Sequence, residues 1–175
     1  MGLLTFKGGV HPNDGKSLAK DKAIVDLLPQ GDLVYPLSQH IGAPAKPVVA
    51  KGDHVLKGQK IAEAGGFVSA PIYASVSGTV KAIEPRVNPT GSKVNSIIIA
   101  NDGQYEEVEY PQPKPLSELT KEEILNIIGE AGVVGMGGAG FPTCVKLKPA
   151  KPVDTILLNG CECEPLLTAD HRVLL

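Results

Sequence analysis

Between residues 31 and 100 the chain alternates short β-prone apolar runs with turn residues. The runs are Val34 to Leu37, Val48-Val49, Val55-Leu56, Lys60 to Ala62, Val76 to Ile83 and Ser96 to Ala100. Gly52-Asp53, Lys57-Gly58, Gly65-Gly66, Ser77-Gly78 and Thr90-Gly91 punctuate them. Strands spaced about eight to twelve residues apart, with turn chemistry between them, predict a small all-β barrel or sandwich. The preceding thirty residues differ. Phe6-Lys7-Gly8-Gly9-Val10-His11-Pro12 is a glycine- and proline-rich loop, and Lys16 to Leu28 has room for one helical turn. From Gln104 to Ser117 the pattern turns acidic and then places Pro111, Pro113 and Pro115 at alternate positions, which predicts a semi-rigid extended linker.

Beyond the linker the apolar period becomes helical. Thr120 is placed as an N-cap with Glu123 at N3, a capping box. Ile124, Ile127, Ile128 and Ala131 fall on one face, and Gly129 and Gly132 close the helix. After a glycine loop, Pro142 fits the first position of a second helix. Val153 to Leu158, apolar apart from Asp154 and Thr155, is expected to form a buried parallel strand. Asp170 to Leu175 reads as the first turn and a half of another helix. Helix, loop, helix, strand, loop, helix is an α/β order. The expected architecture is α+β and multidomain: a barrel-sandwich domain with an N-terminal loop segment over residues 1–103, a proline-rich linker over 104–117, and the truncated start of an α/β domain over 118–175. Its end on exposed leucines reads as that of a fragment.

Composition removes several function classes. With 17 basic and 19 acidic residues the net charge is −2, so no basic stripe is available to neutralise a nucleic acid. Aromatic residues make up 4% and there is no Trp, which argues against a base-stacking platform. No run approaches the roughly 18–20 apolar residues of a membrane span, and Met1 to Val10 lacks a secretory core. Any membrane association is therefore expected through partners. Cys144, Cys161 and Cys163 form an odd, late-clustered set that reads as reduced and intracellular.

The candidate chemistry lies in the last quarter. Gly135-Met136-Gly137-Gly138-Ala139-Gly140 has four glycines in six residues, a backbone that a flat or phosphorylated ligand can approach directly. It satisfies G-x-G-x-x-G, but a dinucleotide fingerprint follows a strand and opens a helix directly. Here a helix and only Val133-Val134 precede it, and Phe141-Pro142 interrupts, so a Rossmann site is disfavoured. A glycine-rich interdomain turn is the plain alternative. Lys146 lies close enough in sequence to add a positive charge beside a phosphate or flavin. Glu162 and Glu164 follow the apolar run, where ligands of α/β sheets sit, and they alternate, so in an extended turn both face a ribose or ring N–H. A solvated acidic turn is the alternative. Cys161-Glu162-Cys163 lacks the spacing of an iron–sulfur ligand set, and no metal site is expected within the chain.

Two resemblances sharpen these readings. Gly52-Asp53-His54-Val55-Leu56-Lys57-Gly58-Gln59, Ala70-Pro71 and Gly78-Thr79-Val80 resemble biotinyl and lipoyl carrier domains. Such domains modify a lysine at a hairpin tip, yet Glu63 to Ser69 contains none, which leaves a structural barrel used for docking or, as the alternative, a face that guides a partner or cofactor. His40, like His11, reads as a structural loop histidine.

Taken with the glycine loop, four further segments resemble the amino-terminal part of the RnfC protein, the C subunit of the Rnf electron-transport complex, over nearly the whole chain. These are Phe6 to Pro12, Gln39 to Pro44, Gly66 to Pro71 and Asn159-Gly160-Cys161-Glu162-Cys163-Glu164-Pro165. RnfC is similar to the flavoprotein subunit of respiratory complex I. The resemblance implies FMN cradled by Gly135, Gly137, Gly138 and Gly140, with Phe141 stacked against NAD(H) and Lys146 near the flavin and phosphates. It also implies Asn159 on FMN and Glu164 at the nicotinamide ribose. The chain departs from the complex I pattern at Met136, where an arginine is expected, and at Cys161 and Cys163, where an aspartate and a serine are expected.

The implied activity is that of an ion-translocating ferredoxin:NAD oxidoreductase. Electrons pass between NAD(H) and ferredoxin through FMN and [4Fe-4S] clusters, the latter beyond residue 175, and the fragment alone is expected to be inactive. The implied partners are the other Rnf subunits and, indirectly, ferredoxin, at the cytoplasmic face of the membrane. The alternative is a non-catalytic docking module in which the barrel serves assembly only.

Overall fold

The computed structural model describes residues 13–174 except Pro113, Gly137, Cys161 and Cys163. The loop expected over Phe6 to Pro12 lies outside the described residues. The chain divides into two compact units, residues 28–151 and residues 1–27 with 152–175.

The first unit is built on seven antiparallel strands: β1 (Asp32–Pro36), β2 (Lys46–Pro47), β3 (His54–Val55), β4 (Lys60–Glu63), β5 (Ile72–Tyr73), β6 (Gly78–Val87) and β7 (Lys93–Asn101). They form a four-stranded sheet in the order β1-β7-β6-β3 and a three-stranded sheet in the order β2-β4-β5. The inward positions of both sheets supply one core, in which Val55, Ile61, Val76, Val80, Ile97 and Ile99 are fully buried with Tyr35, Leu37 and Ile72. On β7, Ile97 and Ile99 belong to this core, while Ser96 and Ile98, on the alternate positions, are buried as well, so this stretch of the strand is covered on both faces. A register shift between Val80 and Ala82 lets β6 curl against β7. The barrel-sandwich expectation holds, and five of the six predicted runs overlap strands. The Val48-Val49 run lies just beyond β2, and β5, directly after Pro71, matches no predicted run.

The turns fall where glycine is needed. Gly52 and Gly58 adopt φ of 96° and 82°, and Asp53 and Gln59 close those turns by accepting from the amides of Ala50 and Leu56. Where carrier domains present a modified lysine, this chain is stitched down. Ser69 Oγ donates to Ala43 O and accepts from Gly65 N, both at 2.8 Å, and Ala43 N donates to Val68 O at 2.9 Å. The stretch after β7 is also held to the barrel. Lys57 N donates to Glu106 O, Val108 N donates to Lys57 O, and the Tyr105 hydroxyl donates to Pro29 O.

Helix α1 (Lys121–Glu130) starts at the predicted capping box: Glu123 N donates to Thr120 Oγ1, and Thr120 N donates to Glu123 Oε2. The Thr120 amide and hydroxyl donors hold the Glu123 carboxyl down at about 2, with help from Lys114. The inward stripe differs from the expected one. Leu125 is buried with Ile124 and Ile128 beside it, whereas Ile127 and Ala131 are exposed. The stripe turns because the single-turn helix α2 (Thr143–Lys146) packs across Gly129, where an added Cβ would lie 3.4 Å from Cys144 Sγ. Pro142 stands just before α2 rather than inside it, since its extended backbone pairs with Val134.

In the second unit a 3-10 turn (Lys16–Leu18) and helix α3 (Ala169–Leu174) are the regular elements among the described residues. The expected buried strand over Val153 to Leu158 is not formed. Residues 152–160 carry no regular structure, and Leu157 is 90% exposed. A parallel strand needs neighbours on both sides, and no described residue pairs with this run.

Candidate functional site

The glycine loop is closed at its neck by backbone pairing. Thr143 N donates to Val133 O and Gly135 N to Phe141 O, both at 3.0 Å, and Phe141 N turns back onto Ala139 O at 2.7 Å. Within this ring the glycines play different parts. A Cβ on Gly135 would overlap the Ala139 carbonyl oxygen, and one on Gly140 would lie 3.2 Å from Gln39 O. Gly138 has no atom within 4 Å of where its Cβ would be. Gly135 and Gly140 thus let the loop fold and seat, while Gly138 leaves open space in front of the backbone. Gly137 lies outside the described residues.

Among the described residues no hydrogen bond occupies the N–H of Met136, Gly138 or Ala139, and all three residues are exposed. Gly138 and Ala139 offer two adjacent unengaged amides on a backbone with little bulk, a feature that suits an anion such as a phosphate. Phe141 is half-buried at the rim, and Lys146 ends α2 with its side chain exposed. Met136, 93% exposed, leaves the tip without the positive charge of an arginine.

In the unit formed by the chain ends, Glu162 is a structural hub. Its Oε1 accepts from Ala169 N at 2.7 Å and Asp170 N at 3.2 Å, capping α3, while Lys16 Nζ lies 3.7 Å from Oε2. The same ammonium donates to the carbonyls of Glu162 and Leu167 at 2.9 and 2.8 Å. Leu166 N donates to Asp14 O, and Arg172 donates to the carbonyls of Lys20 and Lys22. Residues 14–22 therefore strap the 162–172 segment. No local pattern marks Lys16 for this, because it lies 146 residues from Glu162. Glu164 is half-buried and Asn159 exposed. Cys161 and Cys163 lie outside the described residues, among which no cluster of His, Cys, Asp or Glu could hold a metal ion.

Within the barrel unit, a cavity of about 390 Å³ opens between the barrel and the start of the loop, lined by Tyr35, Gln39, His40, Pro71, Tyr73 and Val134 among others. His40 has the structural role expected of it. Its Nε2 lies 3.1 Å from both the amide nitrogen and the carbonyl oxygen of Ala70, and its Nδ1 lies 3.2 Å from Ile41 O.

Comparison with known proteins matches both halves of the sequence. Residues 4–104 match the RnfC barrel sandwich hybrid domain, and residues 128–175 match the Nuo51 FMN-binding domain. The C subunit of the proton-translocating ferredoxin:NAD(+) oxidoreductase complex of Clostridium ljungdahlii is 52% identical, over 99% of this chain and 38% of its own length. The C subunit of the Na(+)-translocating ferredoxin:NAD(+) oxidoreductase complex of Acetobacterium woodii is 45% identical, over 97% and 39%. The C subunit of an ion-translocating oxidoreductase complex of Vibrio cholerae is 41% identical, over 98% and 23%. The chain thus spans about two fifths of the length of the first two relatives. With the barrel domain alone accounting for more than half of its residues, the chain belongs to the RnfC family, that of the C subunits of Rnf-type electron-transport complexes.

Proposed function

We propose that residues 128–175 supply part of an FMN site in a peripheral subunit of a membrane-bound ferredoxin:NAD oxidoreductase complex. The carrying observation is the exposed tip of the glycine loop, with three unengaged amides and open space at Gly138, inside the region matched to an FMN-binding domain. When bound, FMN supplies hydride acceptance from NADH and release of electrons one at a time. The protein's part is binding and orientation. Gly135, Gly137, Gly138 and Gly140 line the flavin, and the free amides with Lys146 meet its phosphate. Phe141 stacks against the dinucleotide. Asn159 contacts FMN and Glu164 the nicotinamide ribose. Glu162 acts by holding its segment in shape, since both of its carboxylate oxygens are engaged.

On this reading the [4Fe-4S] clusters that carry electrons towards ferredoxin belong to parts of the protein outside these 175 residues, which alone pass no electrons on. Coupling to ion movement belongs to the partner subunits. On the same reading, attachment at the cytoplasmic face is through those partners; no helix among the described residues is long and apolar enough to cross a membrane.

Gly138→Val tests the reading, because the site is open and a side chain there disturbs no neighbour. After FMN reconstitution of the full-length protein, the wild type is expected to keep the flavin absorbance through desalting, and the variant to bind about tenfold more weakly or worse. Equal retention by both removes the loop from the flavin site.

A further inference from the structure

A cradle made of amides works only while its backbone stays in place, since preorganised donors gain their strength from not having to reorganise. The described residues of the loop over 135–141 have no regular structure of their own. Beyond the pairing at its own neck, what seats the loop comes from the barrel. Ile41 N donates to Gly140 O at 2.8 Å, and Gly140 rests against Gln39 O and the His40 Cα. The ring of His40, spanning Ala70 N and Ile41 O, holds that turn in shape.

The approach to the loop is fastened as well. The Tyr73 hydroxyl of β5 donates to the carbonyl of Glu130, the last residue of α1. The Lys60 ammonium of β4 meets the Glu130 carboxylate at 2.5 Å and lies 5.9 Å from the centre of the Tyr73 ring. Gly132, at φ 69°, then reverses the chain against the Pro71 carbonyl. Strands from one sheet and the turn at residues 39–41 thus hold both ends of the loop.

We propose that the barrel is a positioning element of the flavin site. Lys60 and Tyr73, with the 39–41 turn, set the conformation of the glycine loop, so that substitutions in the barrel change flavin binding without touching the flavin. This inference rests on the flavin reading above and sets the barrel apart from a device for assembly alone.

The test uses the full-length protein and a Lys60→Met/Tyr73→Phe double variant, with Lys60→Arg as the conservative control that keeps a cation beside Glu130. Hydrogen bonds of this kind shift equilibria by about three- to tenfold. FMN affinity is expected to fall by about that factor in the double variant, with an altered visible spectrum of the bound flavin, while Lys60→Arg keeps wild-type affinity. Amide exchange over residues 135–141 of the flavin-free protein should quicken in the double variant, with the β6 and β7 amides unchanged. Wild-type affinity, spectrum and loop exchange in the double variant would overturn the inference while leaving the flavin reading intact. Equal loss in Lys60→Arg and the double variant, or loss accompanied by general loosening of the barrel, also counts against it. A wild-type protein that takes up no FMN brings down the flavin reading, and the inference with it.

Discussion

The barrel unit and the unit formed by the chain ends treat similar residues in opposite ways. Ile97 and Ile99 lie on a strand paired on both edges and are fully buried, while Ile156 and Leu157, in a run that also carries Asp154 and Thr155, are exposed. Hydrophobic composition alone does not decide between these outcomes. β7 has β1 on one side and β6 on the other, and a second sheet lies across its inner face. The 153–158 run has no such neighbours among the described residues. Their helix caps differ too. α1 is capped by Glu123 and Thr120, three residues apart, whereas α3 is capped by Glu162 from outside the helix, with Lys16 pinning that carboxylate from the far end of the chain.

The largest expected effect separates the two units by stability. Ile99→Ala empties a fully buried site and should cost about 2–5 kcal/mol in denaturant unfolding. Leu157→Ala in the same chain should stay within about 0.5 kcal/mol. Similar costs for both would mean that the terminal run is packed after all. Next in size, Lys16→Met leaves two carbonyls and the Glu162 carboxylate without their donor. Exchange at the amides of Ala169 and Asp170 should then rise about tenfold while barrel amides hold still. If those two amides keep their wild-type rates, the strap does not hold the segment.

The smallest effect is a pH dependence confined to the barrel unit. Glu123 has its folded pKa lowered to about 2 from 4.5, so its contribution is present above pH 4.5 and is lost as pH falls towards 2. Protection of the Glu123 amide should decline over that window in the wild type. In Glu123→Gln the decline should be absent, and a decline of equal size in both would assign it to another group.

Much of the barrel is legible in the sequence because its signals are local. Short β-prone runs, the turn glycines Gly52 and Gly58 at positive φ and a capping box all act within a few residues, and these stand where the residues indicate. β5 escapes because two residues carry no periodicity. The inward stripe of α1 departs from the helical period because it is set by where α2 packs on Gly129. The glycine loop announces itself by composition, but its division of labour does not. That Gly135 and Gly140 serve folding and seating while Gly138 faces open space depends on Ala139 O and Gln39 O, which only the fold brings near. Lys16, Lys60 and Tyr73 are invisible for the same reason, each acting on a residue between 57 and 146 positions away.

The central claim is that FMN sits on the free amides of the glycine loop. Hydrogen exchange of the full-length protein with and without FMN tests it most directly, read on the peptide spanning residues 135–141. The account predicts slowed exchange there on FMN binding, at the amides of Met136, Gly138 and Ala139, with loss of that protection in Gly138→Val. Bound flavin that leaves these amides exchanging at their flavin-free rates would contradict it.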